Sequence, residues 1–194
     1  MILPKEFFEG ETFSVAKKLL GCYLVSSSSE GRTIGRIVET EAYLGKGDPA
    51  SHSFKGETKR NAPMFGSAGC LYVYFIYGCH FCVNIVTGKK GVGEAVLIRA
   101  LEPVEGIDLM QKRRGISDIK NLCNGPGKLT QAMGITKELN GKKLKKPAVY
   151  ILSSESLKEY SAPKPEDITA TERIGISNGK DYLLRFFIKK RPGT

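Results

Sequence analysis

Thirty lysines and arginines against 20 aspartates and glutamates give this 194-residue chain a formal charge of +10, a balance that suits a protein meeting phosphate or simply a well-solvated basic surface. The length predicts a single domain over residues 1–194, because no Pro/Gly/Ser-rich linker divides it. Charges interrupt the apolar runs of the N-terminal stretch, which excludes a secretory signal or membrane span there, and five cysteines point to reduced thiols in a cytoplasmic, non-secreted protein.

In chain order, Phe13, Val15, Ala16, Leu19 and Leu20 followed by Gly21 predict a short amphipathic helix over 12–20. Strands are expected at 22–27 and 33–43. In the second, a two-residue period places Ile37, Glu39, Glu41 and Tyr43 on one face. Two carboxylates beside an aromatic ring suit a glutamate that orients and deprotonates water, or equally the solvated face of an edge strand. Residues 46–68 read as a long polar loop with one helical turn near Pro49–Ser53; in a small domain a loop of this length is usually functional.

The stretch from Gly69 to Asn84 predicts a hairpin, with Tyr72 and Tyr74 on one face and Tyr77 near the tip. A ring at the tip of a hairpin on a basic protein suits insertion into stacked bases; an ordinary core hairpin with Tyr77 flat on the surface fits the same residues. Cys79 and Cys82 have C-x-x-C spacing, but i and i+3 in a strand point to opposite faces, so no metal is expected.

Residues 94–101 read as a strand in which Arg99 is a lone cation among apolar neighbours, requiring a carboxylate partner. Pro103 is expected to open a helix running to Arg113, and Asn124 to cap a second over 125–133. The lysines between 137 and 146 form a solvated surface or a phosphate-contact patch. A polar segment leads to a last strand near 182–188. Strands and helices without regular βαβ alternation predict an α+β fold: one compact domain, a curved, mostly antiparallel sheet, flanking helices and a protruding hairpin. Nucleotide-loop, nucleophile-elbow and zinc-hydrolase motifs are missing from the sequence.

Taken together, Gly35-Arg-Ile-Val-Glu-Thr-Glu-Ala-Tyr-Leu-Gly45, His52, Met64-Phe65, Leu71-Tyr-Val-Tyr-Phe-Ile-Tyr-Gly78, Asn84, Val96-Leu-Ile-Arg-Ala-Leu-Glu-Pro103, Asn124-Gly-Pro-Gly-Lys-Leu129 and Arg173-Ile-Gly-Ile176 resemble the alkyladenine (N-methylpurine) DNA glycosylase family of mammalian type. The resemblance implies a monofunctional enzyme that needs no cofactor and acts as a monomer on double-stranded DNA containing damaged purines. It implies Glu41 as the residue that activates water, with Arg99 beside it and the backbone of Ile174 to Ile176 assisting. Tyr43, His52 and Tyr74 correspond to the walls of the base pocket, and Asn84 to the residue obstructing guanine's exocyclic amine. Tyr77 corresponds to the inserted ring, with Cys79, His80 and Lys128 among the DNA-contacting positions. Cys79 and His80 depart from the methionine and tyrosine of mammalian members, and the chain starts almost at the domain, without their long N-terminal extension.

Overall fold

Alternation along the strands decides which side of one large sheet becomes core and which becomes a site. In the computed structural model, which describes residues 1–76, 78, 80–157 and 160–189, two short helices, α1 (Lys5–Phe8) and α2 (Thr12–Lys18), precede β1 (Tyr23–Ser28) and β2 (Gly31–Tyr43). The hairpin strands β3 (Leu71–Ile76) and β4 (His80–Thr87) and the long β5 (Glu94–Glu105) follow. Then come α3 (Ile107–Arg114), α4 (Pro126–Met133), β6 (Val149–Leu152), β7 (Ile168–Thr171) and β8 (Arg185–Ile188). The strands form one sheet in the order β3-β4-β5-β2-β1-β6, with β8 beside the second half of β2 and β7 on β8. Every pairing among the described strands is antiparallel. The fold is therefore α+β, as the element pattern predicts.

One face of the sheet is covered by helices. Leu71 and Val73 of β3, Val83 and Ile85 of β4, and Val96 and Ile98 of β5 are buried in one core with Val15 and Ala16 of α2, Leu19 at its C-cap, Met110 of α3, and Leu129 and Met133 of α4. Burying such side chains fully is worth about 1.5–3 kcal/mol each, which makes this face the main stabilising layer. The alternate residues, Tyr72 and Tyr74, Cys82 and Asn84, and Leu97 and Arg99, point to the opposite face, where the loop before β3 lies.

Strict alternation fails in β2. Ile37 pairs with Leu101 and Glu39 with Ala100, so Val38 is an extra residue, with further irregularity between Glu39 and Thr40. Such a bulge shifts side-chain parity. Ile37 consequently joins the helix-side core with Ala42, while Thr40 donates its hydroxyl to the Ala16 carbonyl of α2 at 2.9 Å. Glu39, Glu41 and Tyr43 still share a face; the expected fourth member, Ile37, does not belong to it.

Other expectations also change. Pro103 does not open a helix: β5 continues through it, paired with Gly35 next to a register shift, where a missing N–H is tolerated. The helix starts at Ile107, after Gly106, whose φ of 74° no β-carbon would favour. Gly125, not Asn124, occupies the N-cap of α4, and the Asn124 amide instead donates to Asn121 at 2.8 Å. The 46–68 loop forms turns around residues 48–55 and one 3₁₀ turn at Ala62–Phe65. It is well ordered by hydrogen bonding: the Asn61 side chain accepts from the Thr58 N–H at 2.6 Å and donates to the carbonyls of His52 and Gly56 at 2.8 and 3.0 Å. The four-residue strands β6 and β7 lie in segments too short and mixed for periodicity to reveal.

Candidate active site

The polar-facing side of the sheet and the 46–68 loop enclose a cavity of about 310 Å³, lined by Tyr43, His52, Tyr72, Tyr74, Asn84, Arg99 and Ile174 to Ile176, with Ala50, Met64, Ile76, Cys82, Leu97 and Pro126. The volume suits a flat heterocycle, at the small end of ligand sites. Its rings come from neighbouring strands and the loop. Tyr72 and Tyr74 lie with centroids 5.2 Å apart, and His52 meets Tyr74 edge-on at 4.6 Å. His52 is an exposed residue whose Nδ1 lies 2.9 Å from the Tyr72 hydroxyl.

Glu41 is fully buried and lies one contact behind this lining. Its Oε1 accepts from the Ile174 N–H at 2.9 Å and its Oε2 from the Tyr43 hydroxyl at 2.8 Å, with Arg99 Nη1 3.3 Å from Oε2. All three partners line the cavity. A carboxylate has about four acceptor positions, so these contacts leave capacity for a further donor such as water. Arg99 also donates from Nε to Glu39 Oε1 at 3.1 Å, and that same oxygen accepts from Arg185 Nε of β8 at 2.6 Å. Two carboxylates and two guanidiniums thus alternate along a row, Glu41, Arg99, Glu39, Arg185, and the carboxylate partner that Arg99 requires is a pair of them.

A second ion pair braces the site. Asp48 and Arg173 are both buried side chains with Nη–Oδ distances of 2.6 and 2.7 Å, and Asp48 additionally accepts from the N–H groups of Leu44 and Ala50 at 3.0 and 3.1 Å. Arg173 donates to the Ala42 carbonyl at 3.1 Å and lies 4.8 Å from the centre of the Tyr43 ring. A paired, hydrogen-bonded charge is the tolerable form of burial. This one ties the loop, the end of β2 and the 173–176 segment into a single corner, which aims the Ile174 N–H at Glu41.

The cavity is set up for un-ionised rings at neutral pH. Burial, reinforced by the Glu41 charge and hydrogen bond, pushes the Tyr43 hydroxyl well above its usual range. Burial does the same to Tyr74, helped by Cys82, and raises Tyr72 to about 12. Burial and the nearby Arg60 charge lower His52, which favours the neutral imidazole.

The sequence-predicted residues Tyr43, His52, Tyr74, Asn84, Arg99, Ile174 and Ile176 come together at this cavity, with Glu41 behind it. His80 and Lys128 do not line it: His80 is exposed, at the base of β4 against Gly127 of α4, and Lys128 reaches Asn124 at 2.7 Å. Tyr77 and Cys79 lie outside the described residues. Sequence reasoning left Tyr72, Cys82 and Leu97 unassigned although they share the two-residue period of Tyr74, Asn84 and Arg99, which was the signal for them. Asp48 and Arg173, 125 positions apart, carry no local signal.

An α+β sheet that holds an aromatic slot over a buried, ion-paired glutamate is the candidate active site of this fold. Residues 6–192 match the methylpurine-DNA glycosylase family. Among its relatives, proteins named as candidate 3-methyladenine DNA glycosylases are similar along nearly their whole length. That of Methanoculleus marisnigri is 56% identical over 189 residues, covering 97% of this chain and 96% of the relative. That of Carboxydothermus hydrogenoformans is 50% identical, with 97% and 96% covered, and that of Chlorobium phaeobacteroides 47%, with 96% and 91% covered. The chain belongs to the methylpurine-DNA glycosylase family and is a DNA glycosylase, an enzyme of DNA repair.

Proposed function

We propose that this glycosylase draws a damaged purine out of duplex DNA into the aromatic cavity and hydrolyses its N-glycosidic bond with a water activated by Glu41, the first step of base-excision repair. The observation that carries this reading is the Glu41 carboxylate, buried and held by Tyr43, Ile174 and Arg99, each of which also lines the cavity. Cleavage of a glycosidic bond passes through an oxocarbenium-like state, which a fixed carboxylate both stabilises and supplies with a deprotonated water. Among the described residues no lysine lines the cavity, which supports water rather than a Schiff base as nucleophile and a monofunctional enzyme.

Selection falls on purines that leave the stack cheaply and fit between the rings. Cationic N-methylated purines such as 3-methyladenine and 7-methylguanine gain ~0.5–2 kcal/mol from the faces of Tyr43 and Tyr74. Hypoxanthine and ethenoadenine are neutral members of the same shape class. The enzyme acts as a monomer, in the cytoplasm where it meets chromosomal DNA, with Tyr77 filling the vacated space.

The test is alkali-revealed strand cleavage of duplexes carrying 7-methylguanine, hypoxanthine or ethenoadenine, under single turnover. Glu41→Gln is expected to bind damaged duplex as the parent does and to release base about a hundredfold more slowly or worse, because an amide accepts no proton. A near-parental rate refutes the role.

A further inference from the structure

We propose that Glu39 is a positioning residue that sets the place of Arg99 relative to Glu41, an inference that rests on the reading of Glu41 as the group that activates water. Three observations carry it. Arg99 is shared: its Nε donates to Glu39 at 3.1 Å, while its Nη1 stands 3.3 Å from Glu41 Oε2, an ion-pair distance without a full hydrogen bond. Glu39 is in turn anchored from its far side by Arg185 at 2.6 Å on the same oxygen. Arg185 is itself fixed, paired in register opposite Glu41 on β8 and donating to the Thr171 hydroxyl at 3.3 Å.

The consequence is a division of Arg99 between two carboxylates. Guanidinium and carboxylate otherwise close into a bidentate pair with two short hydrogen bonds. Such a pair would occupy the Glu41 oxygen that must receive a proton from water. The two-residue period places Glu39 and Glu41 on the site face, while the bulge at Val38 turns Ile37 to the core. Glu39 touches neither cavity nor substrate position among the described lining residues, so it acts through Arg99.

The experiment compares parent, Glu39→Gln, Arg99→Gln and the double variant in single-turnover base release from a hypoxanthine duplex, with affinity measured separately on a duplex carrying a reduced abasic site. Glu39→Gln is expected to slow base release by roughly tenfold to a hundredfold, the scale of a sub-ångström to ångström misplacement, with affinity unchanged. In the Arg99→Gln background the same substitution should cost little more, because its route of action is gone. Glu39→Asp, which keeps the charge, should recover much of the rate. A parental rate for Glu39→Gln, or an equal loss with and without Arg99, overturns the inference. If Glu39→Gln proves too unstable to assay, Arg185→Gln takes its place. It lets Glu39 draw Arg99 away from Glu41, so it should slow release without weakening binding, and a parental rate again overturns the inference. Glu41→Gln, run in parallel, separates the two readings: a parental rate there removes the water-activating role itself, whereas an inactive Glu41→Gln beside a parental Glu39→Gln removes only the role of Glu39.

Discussion

Under the proposed function, Asn84 is the side chain placed to filter bases. It is buried in β4, lines the cavity, and spends its amide nitrogen on the Tyr72 carbonyl at 3.1 Å, which fixes the rotamer and leaves the rest of the group as a rigid part of the wall. In that role, a fixed group there would reject guanine by collision with its exocyclic amine and by leaving that amine unpaired. Asn84→Ser is therefore expected to raise the rate of guanine excision relative to hypoxanthine, read as a ratio on matched duplexes; an unchanged or lower ratio places discrimination elsewhere. At this scale the sequence was informative wherever a residue's chemistry was unusual for its surroundings. Arg99 in an apolar strand demanded a carboxylate, and Glu39 and Glu41 are the ones it has. Asp48 and Arg173 gave no such warning, because each sits in polar surroundings and only the folded chain brings them together.

Among elements, the 46–68 loop is tied to the 173–176 segment by the buried Asp48–Arg173 pair. Asp48→Ala would leave the Arg173 guanidinium buried without its counter-charge, a loss of about 3–5 kcal/mol, to be read from urea unfolding. The same change loosens the 173–176 segment, so base release should fall even at temperatures where the variant remains folded. Gly106→Ala combines φ of 74° with a collision between the new methyl group and the Arg32 carbonyl, and is expected to destabilise by about 1 kcal/mol or more. The strands were readable from alternation: β3 and β4 deliver Tyr72, Tyr74 and Asn84 to one side as their spacing requires. The bulge at Val38 was not readable, because one extra residue in a strand alters pairing without altering composition. Pro103 misled for a related reason, since a proline beside a register shift loses no ladder bond and so does not end the strand.

For the molecule as a whole, the charge of +10 makes DNA affinity a function of salt. Each phosphate neutralised contributes about −0.9 to the slope of log affinity against log salt, so titrations between low and physiological salt should show a steep linear fall, equal for damaged and undamaged duplex. Folding stability should also depend on alkali. Tyr43 and Tyr74 are raised in the folded state, so they remain protonated when the unfolded chain ionises near pH 10. The folded state then binds more protons, and stability falls as pH rises beyond that point, measurable as a declining melting temperature between pH 9 and 11 that is lessened in Tyr74→Phe. One last property follows from where the parts of the site lie along the chain. The aromatic slot, Glu41 and Arg99 come from residues 41 to 99, but the Ile174 N–H that holds Glu41 and the Arg185 guanidinium that anchors Glu39 come from positions 174 and 185, the latter delivered as β8 pairs beside β2. Chains emerge from the ribosome N-terminus first. A nascent polypeptide therefore cannot complete the surroundings of Glu41 until the segment that carries Ile174 and Arg185 has left the ribosome, so the order of synthesis makes these two contacts the last parts of the site to be supplied.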